Sequence, residues 1–451
     1  MLSGRISKAG ISTRELLGLA ATHSASLNEK HIANLWNKLG KQRDASGPNH
    51  REEMRRLLRR TVERVDSCGA RELSNIAHGL AKCRLAGLNV ETGALFAAVA
   101  EMAVRGGLSS FEPQHLANTA WAFATAGQPA AALFDAIAAA AVPRRDLNPQ
   151  ELTNMAWAFA TAGHRAPALL DAIAAAAASQ LRDFNPQNLS NTAWAFATAG
   201  HAAPALLDAI AAAAPPRLRE FNPQDLVNTT WAFATVGHAA PALLDAIATA
   251  AVPRLRDFET QGLANTAWAF ARAGRTAPAL FDAIAAAAAP RLRDFNPQNL
   301  ANTAWAFARA NHAAPALLDA IAAAAAPRLR DFNPQNLANT AWAFATADHA
   351  APALLDAIAA AAAPRLRDFT PQALANTAWA FAAADHLAPA LFDSHVFVQL
   401  CTERSFVFES LCQLHQWQLW QEERGAAWPP LSPELAQRCR DAFSSEDGVA
   451  S

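Results

Sequence analysis

The chain lacks most of the features that announce a chemistry. No apolar run reaches the roughly 20 residues of a membrane span. Its alanine-rich tracts, such as residues 283–289, are short, and each is followed by a proline and an arginine pair. A soluble body with no membrane partner is expected. The five cysteines, Cys68, Cys83, Cys401, Cys412 and Cys439, show no paired short spacing, which argues against a disulfide framework and a zinc site and for a reducing compartment. No Gly-rich phosphate loop, nucleophile elbow or HExxH motif occurs, so neither an enzyme nor a cofactor is expected. Basic excess is missing too: 38 Lys and Arg stand against 39 Asp and Glu, a net charge of -1. Nucleic-acid binders commonly carry a positive balance, so any such function must rest on how the charge is distributed.

What is present is repetition. Trp157, Trp194, Trp231, Trp268, Trp305, Trp342 and Trp379 stand 37 residues apart, within copies of a stretch typified by residues 295–331. A fixed period of that size marks one supersecondary unit stacked on copies of itself. Function should then lie along a surface, and a single elongated body is expected although the length alone suggests about three domains.

Each unit reads as two helices. Asn222 followed by Pro223 supplies an N-cap and a proline at the first helical position, opening a helix to about Val236 that Gly237 closes. Pro241 starts a second helix, with Leu243, Leu244 and Ile247 as its buried stripe, running to about Arg256 with Pro253 set to kink or end it. No strand-like alternation is seen, so the fold class is all-α: an α-solenoid of about eight regular hairpins, two degenerate N-terminal units and a helical C-terminal cap. On the helix opened by Asn185, the spacing assigns Leu189, Ala193 and Phe196 to the core. A second stripe runs through Gln187, Asn191, Trp194 and Thr198, a mixture unusual for a buried seam. Stacking would set equivalent stripes roughly 10 Å apart.

The organisation is therefore residues 1–11 as a targeting or disordered segment, 12–110 as degenerate repeats, 111–394 as regular repeats, 395–443 as a helical cap and 444–451 as a disordered tail. Arg5, Lys8 and Arg14, with Ser3, Ser7 and Ser12 and no acid before Glu15, have the composition of an organelle transit peptide; a basic helix start fits the same residues. Because repeat-like sequence begins near Ser12, little room is left for a cleavable leader, and the true N-terminus could lie upstream. In the degenerate units Asn34 and Asn75 keep the repeated Asn, with spacings of 41 and 43 residues, but Asn37 and His78 take the place of Trp. Residues 42–52 read as a solvated loop, and Pro429 and Pro430 break the C-terminal helices.

The candidate binding residues are the repeated Asn and Trp: Asn118, Trp121, Asn154, Trp157, Asn191, Trp194, Asn228, Trp231, Asn265, Trp268, Asn302, Trp305, Asn339, Trp342, Asn376 and Trp379. Aromatic rings stack unpaired bases and amides read base edges. The plainer reading makes the Trp a packing residue among alanines, whereas a buried Asn would need a repeated structural partner. One turn beyond each Trp the residue varies: Thr125, Thr161, Thr198, Thr235, Arg272, Arg309, Thr346 and Ala383. If this position tunes recognition, near-identical Thr units imply a low-complexity single-stranded target of about eight nucleotides, one per unit. Arg272 and Arg309 would then add phosphate or base contacts. The arginine pairs, such as Arg217 with Arg219 and Arg365 with Arg367, suit phosphate contact or compensation of a helix C-terminal dipole. His164, His201, His238, His312, His349 and His386 occur once per unit, too far apart to share a metal, and are read as turn or capping residues. The acids Asp171, Asp208, Asp245, Asp282, Asp319 and Asp356 are likewise single.

The motif (L/I)xNxxWAFA within a helical hairpin resembles the organellar RNA-binding helical-repeat proteins of the octotricopeptide and FAST-kinase-like class, which often end in a RAP domain, and RNA-editing substrate-binding complex subunits of the same repeat type. The resemblance covers about residues 12–443. TRELLGLAATHSASLNEKHIANLWNKLGK is similar to the leader unit of that class, and QLHQWQLW resembles the segment before its RAP domain. It implies single-stranded RNA as ligand, protein partners in a ribonucleoprotein complex or granule, and a role in RNA processing, mRNA stability or translation in the mitochondrial matrix or chloroplast. The PPPEW signature of octotricopeptide repeats is absent, so no base code transfers. The sequence ends at Ser451, where a RAP domain would begin. The leading expectation is a non-catalytic, monomeric single-stranded RNA binder. The alternative is an armadillo-like scaffold gripping an extended peptide, and a Trp ladder buried throughout would instead favour a structural spacer.

Overall fold

A computed structural model describes residues 2–42, 44–393, 395–426 and 428–447, the side chains of Glu446 and Asp447 excepted. The described residues are helical throughout, without a strand.

The unit at residues 295–331 shows how the sequence builds the repeat. Phe295 is extended and fully buried. Asn296 follows as N-cap, its side chain accepting from the Asn299 backbone N–H at 2.8 Å, and Pro297 occupies the first turn, where a missing N–H costs nothing. The first helix runs Pro297–Arg309. The chain then leaves through a left-handed residue, which is glycine in most units (Gly237, φ +67°) but Asn311, Asp348 and Asp385 in the last three, each at φ +50°. Asn and Asp tolerate that conformation better than other side chains. The second helix runs Pro315–Ala325, and Pro327 converts its end into a 3-10 segment, Ala326–Asp331. The unit read from Pro241 behaves alike: the α-helix stops at Ala251 and Val252–Asp257 is 3-10, so Pro253 does end it.

The predicted core positions Leu189, Ala193 and Phe196 are all fully buried, as are Leu243, Leu244 and Ile247 to within a few percent. Between first helices the contact is made largely by alanine, which lets helices approach closely, and by a Thr folded onto its own helix: Thr303 Oγ1 donates to the Asn299 carbonyl at 2.8 Å. Phenylalanine supplies the bulk: Phe233, Phe270 and Phe307 are each at most 1% exposed, and such burial stabilises by about 2–3 kcal/mol per ring.

The chain divides into two compact units, residues 1–220 and 221–451, where the sequence predicted a single body. In a repeat stack each hairpin touches only its neighbours, so no central core joins distant units. In the first unit, residues 2–7, expected as a targeting or disordered segment, form a helix, Leu2–Ser7, that packs on the helix Glu29–Leu39 and buries Ile6. Within the expected loop 42–52, Arg43 lies outside the described residues, Thr13 Oγ1 donates to Asp44, and a helix already starts at Arg51. In the second unit the cap consists of His395–Thr402, Phe408–Arg424 and Pro433–Asp447. The helix Phe408–Arg424 packs on the last regular first helix, Pro371–Ala383, and Trp417 is fully buried against Phe392 and Phe397. The expected disordered tail is helical over residues 444–447; residues 448–451 lie outside the described residues.

Candidate nucleic-acid interface

The first helices carry the predicted stripe on one side, away from the core. Along the helix Pro186–Ala199, Gln187 and Thr198 are exposed while Asn191 and Trp194 are half-buried. The same gradation recurs in register: Asn118, Asn154, Asn228, Asn265, Asn302, Asn339 and Asn376 and their Trp partners are all half-buried. The Trp ladder is neither core nor free surface.

Neighbouring rings touch. Trp121, Trp157 and Trp194 follow one another at 6.4 Å between centroids, and Trp268, Trp305, Trp342 and Trp379 at 6.4, 6.2 and 6.1 Å, tilted by 28–34°. These are aromatic-pair distances, well short of the expected spacing of roughly 10 Å. Contact between rings also corrects the idea of open stacking platforms. Sandwiching a base needs a gap of about 6.8 Å between parallel faces, twice the ~3.4 Å stacking rise. The rings are thus packed against one another, and the indole N–H of Trp379 is already donated to Gln416 Oε1 at 2.5 Å.

The amides are more available. Among the described residues, the side chains of Asn118, Asn154, Asn265, Asn302, Asn339 and Asn376 make no hydrogen bond within the protein, and none is a sealed, unsatisfied group. The repeated structural partner that a packing Asn would need is missing for these six. Asn228 differs, accepting from Gln224 Nε2 at 2.7 Å. At the variable position Thr161, Thr198, Arg272, Arg309, Thr346 and Ala383 are exposed, whereas Thr125 and Thr235 are half-buried with shielded hydroxyls. Arg272 is partly committed: its Nε donates to the Ala234 carbonyl at 3.1 Å and its guanidinium lies 5.4 Å from the centre of the Trp268 ring. Arg309 is exposed.

Two other repeated elements prove to tie units together. The first arginine of each pair donates to the carbonyl of the buried Phe 33 residues earlier: Arg254 to Phe221 at 2.8 Å, Arg291 to Phe258 at 2.7 Å, Arg328 to Phe295 at 2.9 Å and Arg365 to Phe332 at 2.8 Å. That carbonyl precedes the N-cap and lacks a ladder partner, so a charged donor there satisfies it. The second arginines, such as Arg256 and Arg330, are exposed beside an aspartate. The single histidines and aspartates also meet across units: His164 with Asp135, His201 with Asp171, His312 with Asp282, His349 with Asp319 and His386 with Asp356, each at 2.8 Å, with Arg275 replacing His against Asp245. Each of these histidines also packs against Phe, as His312 does on Phe281 and Phe307. Reading each His and Asp within its own unit missed this; their constant offset of 29 or 30 residues was the available signal.

In the degenerate units the stripe continues with altered chemistry. Asn37 Nδ2 donates to Asn75 Oδ1 at 3.4 Å, and His78 stands 5.1 Å from Trp121 in the Trp register. Burial, reinforced by Lys82 and Lys41, lowers the His78 pKa to about 4, so its ring is neutral near pH 7. All five cysteines are buried free thiols, and burial first of all raises Cys68, Cys83 and Cys401 to about 12 and Cys439 to about 11. Among the described residues, no helix is long and apolar enough to cross a membrane, and no group of three or more His, Cys, Asp or Glu could hold a metal.

With this geometry in view, the chain can be set beside known proteins. The profile of the family described as RNA-editing substrate-binding complex 6 protein matches residues 12–285 and 216–407. No curated protein matches. A chain of a homology model of the full-length AP-3 complex in an intermediate open conformation is 10% identical, with 99% of this chain and 80% of that chain covered, at a TM-score of 0.29. A circular tandem repeat protein with novel repeat topology and enhanced subunit contact surfaces is 12% identical, with 96% and 87% covered, at a TM-score of 0.16. Scores that low carry no argument about this fold.

Proposed function

The chain belongs to the RNA-editing substrate-binding complex 6 protein family, and from that premise we propose that it is a non-catalytic, single-stranded RNA-binding repeat protein working with protein partners in an RNA-editing assembly. The observation that carries this reading is the set of half-buried Asn side chains whose amides the protein leaves unbonded, Asn118 and Asn154 in the first unit and Asn265, Asn302, Asn339 and Asn376 in the second, each beside a Trp of the ladder. Two such amides in the first unit and four in the second, each group repeating in register within its own unit, suit a ligand that is itself periodic. The ring step of 6.1–6.4 Å is nearly double the ~3.4 Å rise of a stacked strand, which suits RNA whose bases are drawn apart, one per unit. The family supports the editing-complex part of the resemblance seen in the sequence; the octotricopeptide and FAST-kinase-like part rests on the motif alone. The mitochondrial matrix is the compartment we propose, in preference to the chloroplast.

An armadillo-like scaffold is the second reading, favoured by the near-neutral charge of the whole chain. Fluorescence anisotropy with a random-sequence single-stranded RNA pool and, separately, an extended-peptide pool, each at two salt concentrations, separates the two. RNA binding tighter than about 10 μM, weakening with salt, is expected. Peptide binding in its absence would overturn the RNA reading.

A further inference from the structure

The five lysines of the chain all lie between Lys8 and Lys82. Residues 1–110 hold seventeen Lys and Arg against ten Asp and Glu, while residues 111–394 hold seventeen against twenty-one. The near-zero net charge thus conceals a basic N-terminal segment, and its cations fall in register with the stripe. In each regular unit the position four residues before the Asn is an exposed Gln, from Gln114 to Gln372. In the two degenerate units it is Lys30 and Arg71. Seven residues after the Asn, where regular units carry mostly Thr, stand Lys41 and Lys82. All four are exposed, and they flank the half-buried Asn34, Asn37, Asn75 and His78.

We propose that Lys30, Lys41, Arg71 and Lys82 form a phosphate-gripping pole at the N-terminal end of the stripe, where the backbone of single-stranded RNA is held while the Asn–Trp section beyond it meets the bases. The proposal rests on the RNA-binding reading above.

The structure supports the placement in three ways. Asn37 bonds to Asn75 and His78 packs on Trp121, so the two degenerate helices continue the same face. Gly40 backs onto Gly79 and the Lys82 Cβ, which brings Lys82 close to Lys41, and both act electrostatically on His78. Of the acids in the same first turns, Glu72 turns back over Gly69, and both it and Glu29 act on the buried thiol of Cys68. The sequence change is itself instructive. Trp is lost where the cations appear, and a phosphate-holding surface needs charge and hydrogen bonds more than aromatic edges. Asn37 supplies an amide there, and a His78 held neutral keeps one ring nitrogen free to accept a hydrogen bond.

The test uses the full chain and gives each cation the residue that regular units carry: K30Q, K41T, R71Q and K82T together, with R272T and R309T as the comparison pair. Binding of a 20-nucleotide single-stranded RNA is measured across salt concentrations, with circular dichroism and thermal unfolding confirming an unchanged fold. The quadruple variant should bind at least about tenfold more weakly at 0.1 M salt, and its salt slope should fall by about 3, since each phosphate contact on a single strand contributes about 0.7. The comparison pair should lose less. Wild-type affinity and slope in a folded quadruple variant would overturn the pole and leave RNA binding standing. No RNA binding by the wild type would overturn both. Tighter binding of poly-glutamate than of RNA, lost in the quadruple variant, would assign the face to an acidic protein and overturn the proposal.

Discussion

The degenerate units at residues 12–110 and the regular units at 111–394 keep the same hairpin frame and the same Asn, yet differ at almost every other place on the stripe. Regular units show Gln, Asn, Trp and mostly Thr; the N-terminal pair show Lys30, Asn34, Asn37 and Lys41, then Arg71, Asn75, His78 and Lys82. Beneath the stripe, where regular units bury Phe, as at Phe123 and Phe307, the N-terminal pair bury Leu39 and Leu80. Atypical first repeats are usually explained as capping. Capping asks for a polar outer end, and it does not ask for cations placed in register with the stripe of the regular units. The difference therefore separates two demands: fewer aromatic contacts in the degenerate units, and charge where a ligand backbone is held.

The comparison can be broken first in the core. Phe307→Ala should cost about 3–5 kcal/mol and Leu80→Ala about 2–4, by denaturant unfolding, because each leaves a cavity at a site with little freedom to collapse. Equal, negligible losses would show that neither unit is held by its central apolar residue. Next, Trp305→Ala removes a ring touching both Trp268 and Trp342. It should lower stability by about 1–3 kcal/mol and RNA affinity by about tenfold. Binding lost without any shift in melting temperature would mean that the ladder is a contact surface more than a packed seam.

The third prediction contrasts His78 with the Trp that replaces it elsewhere. Its folded pKa of about 4 lies below the ordinary 6.5, so the folded state favours the neutral ring. This stability is present above about pH 6.5 and lost as pH falls toward 4, amounting to about 1–2 kcal/mol for a ring that is not fully buried. Thermal unfolding over that window should slope more steeply in the wild type than in His78→Gln; parallel curves would remove the contrast. The smallest stability change belongs to Asn302→Ala, within about 0.5 kcal/mol because no internal hydrogen bond is lost. RNA affinity should nevertheless fall about fivefold or more, the worth of a hydrogen bond to a base. A marked loss of stability with unchanged affinity would return this Asn to a structural role.

Much of the fold was legible in the residue order because its causes are local. Asn-Pro caps, the left-handed exits at Gly237 and its equivalents, and the stripe through Leu189, Ala193 and Phe196 act within one turn or two, and a helix period is enough to place them. The 37-residue period then required stacking, since one hairpin cannot cover its own apolar face. The candidate site was half legible. The stripe from Gln187 to Thr198 lies on one side as its spacing demands, but the step between Trp rings, their contact, and the unbonded state of amides such as Asn302 were not.

Those features, like the ties from Arg328 to the Phe295 carbonyl and from His349 to Asp319, join groups about 30 to 40 residues apart. The sequence by itself determined what each unit is: two capped helices, a buried stripe and a polar one. Only the tertiary structure decided how near one unit's side chains come to the next. That distance depends on how closely alanine-lined helices approach, which no single repeat contains.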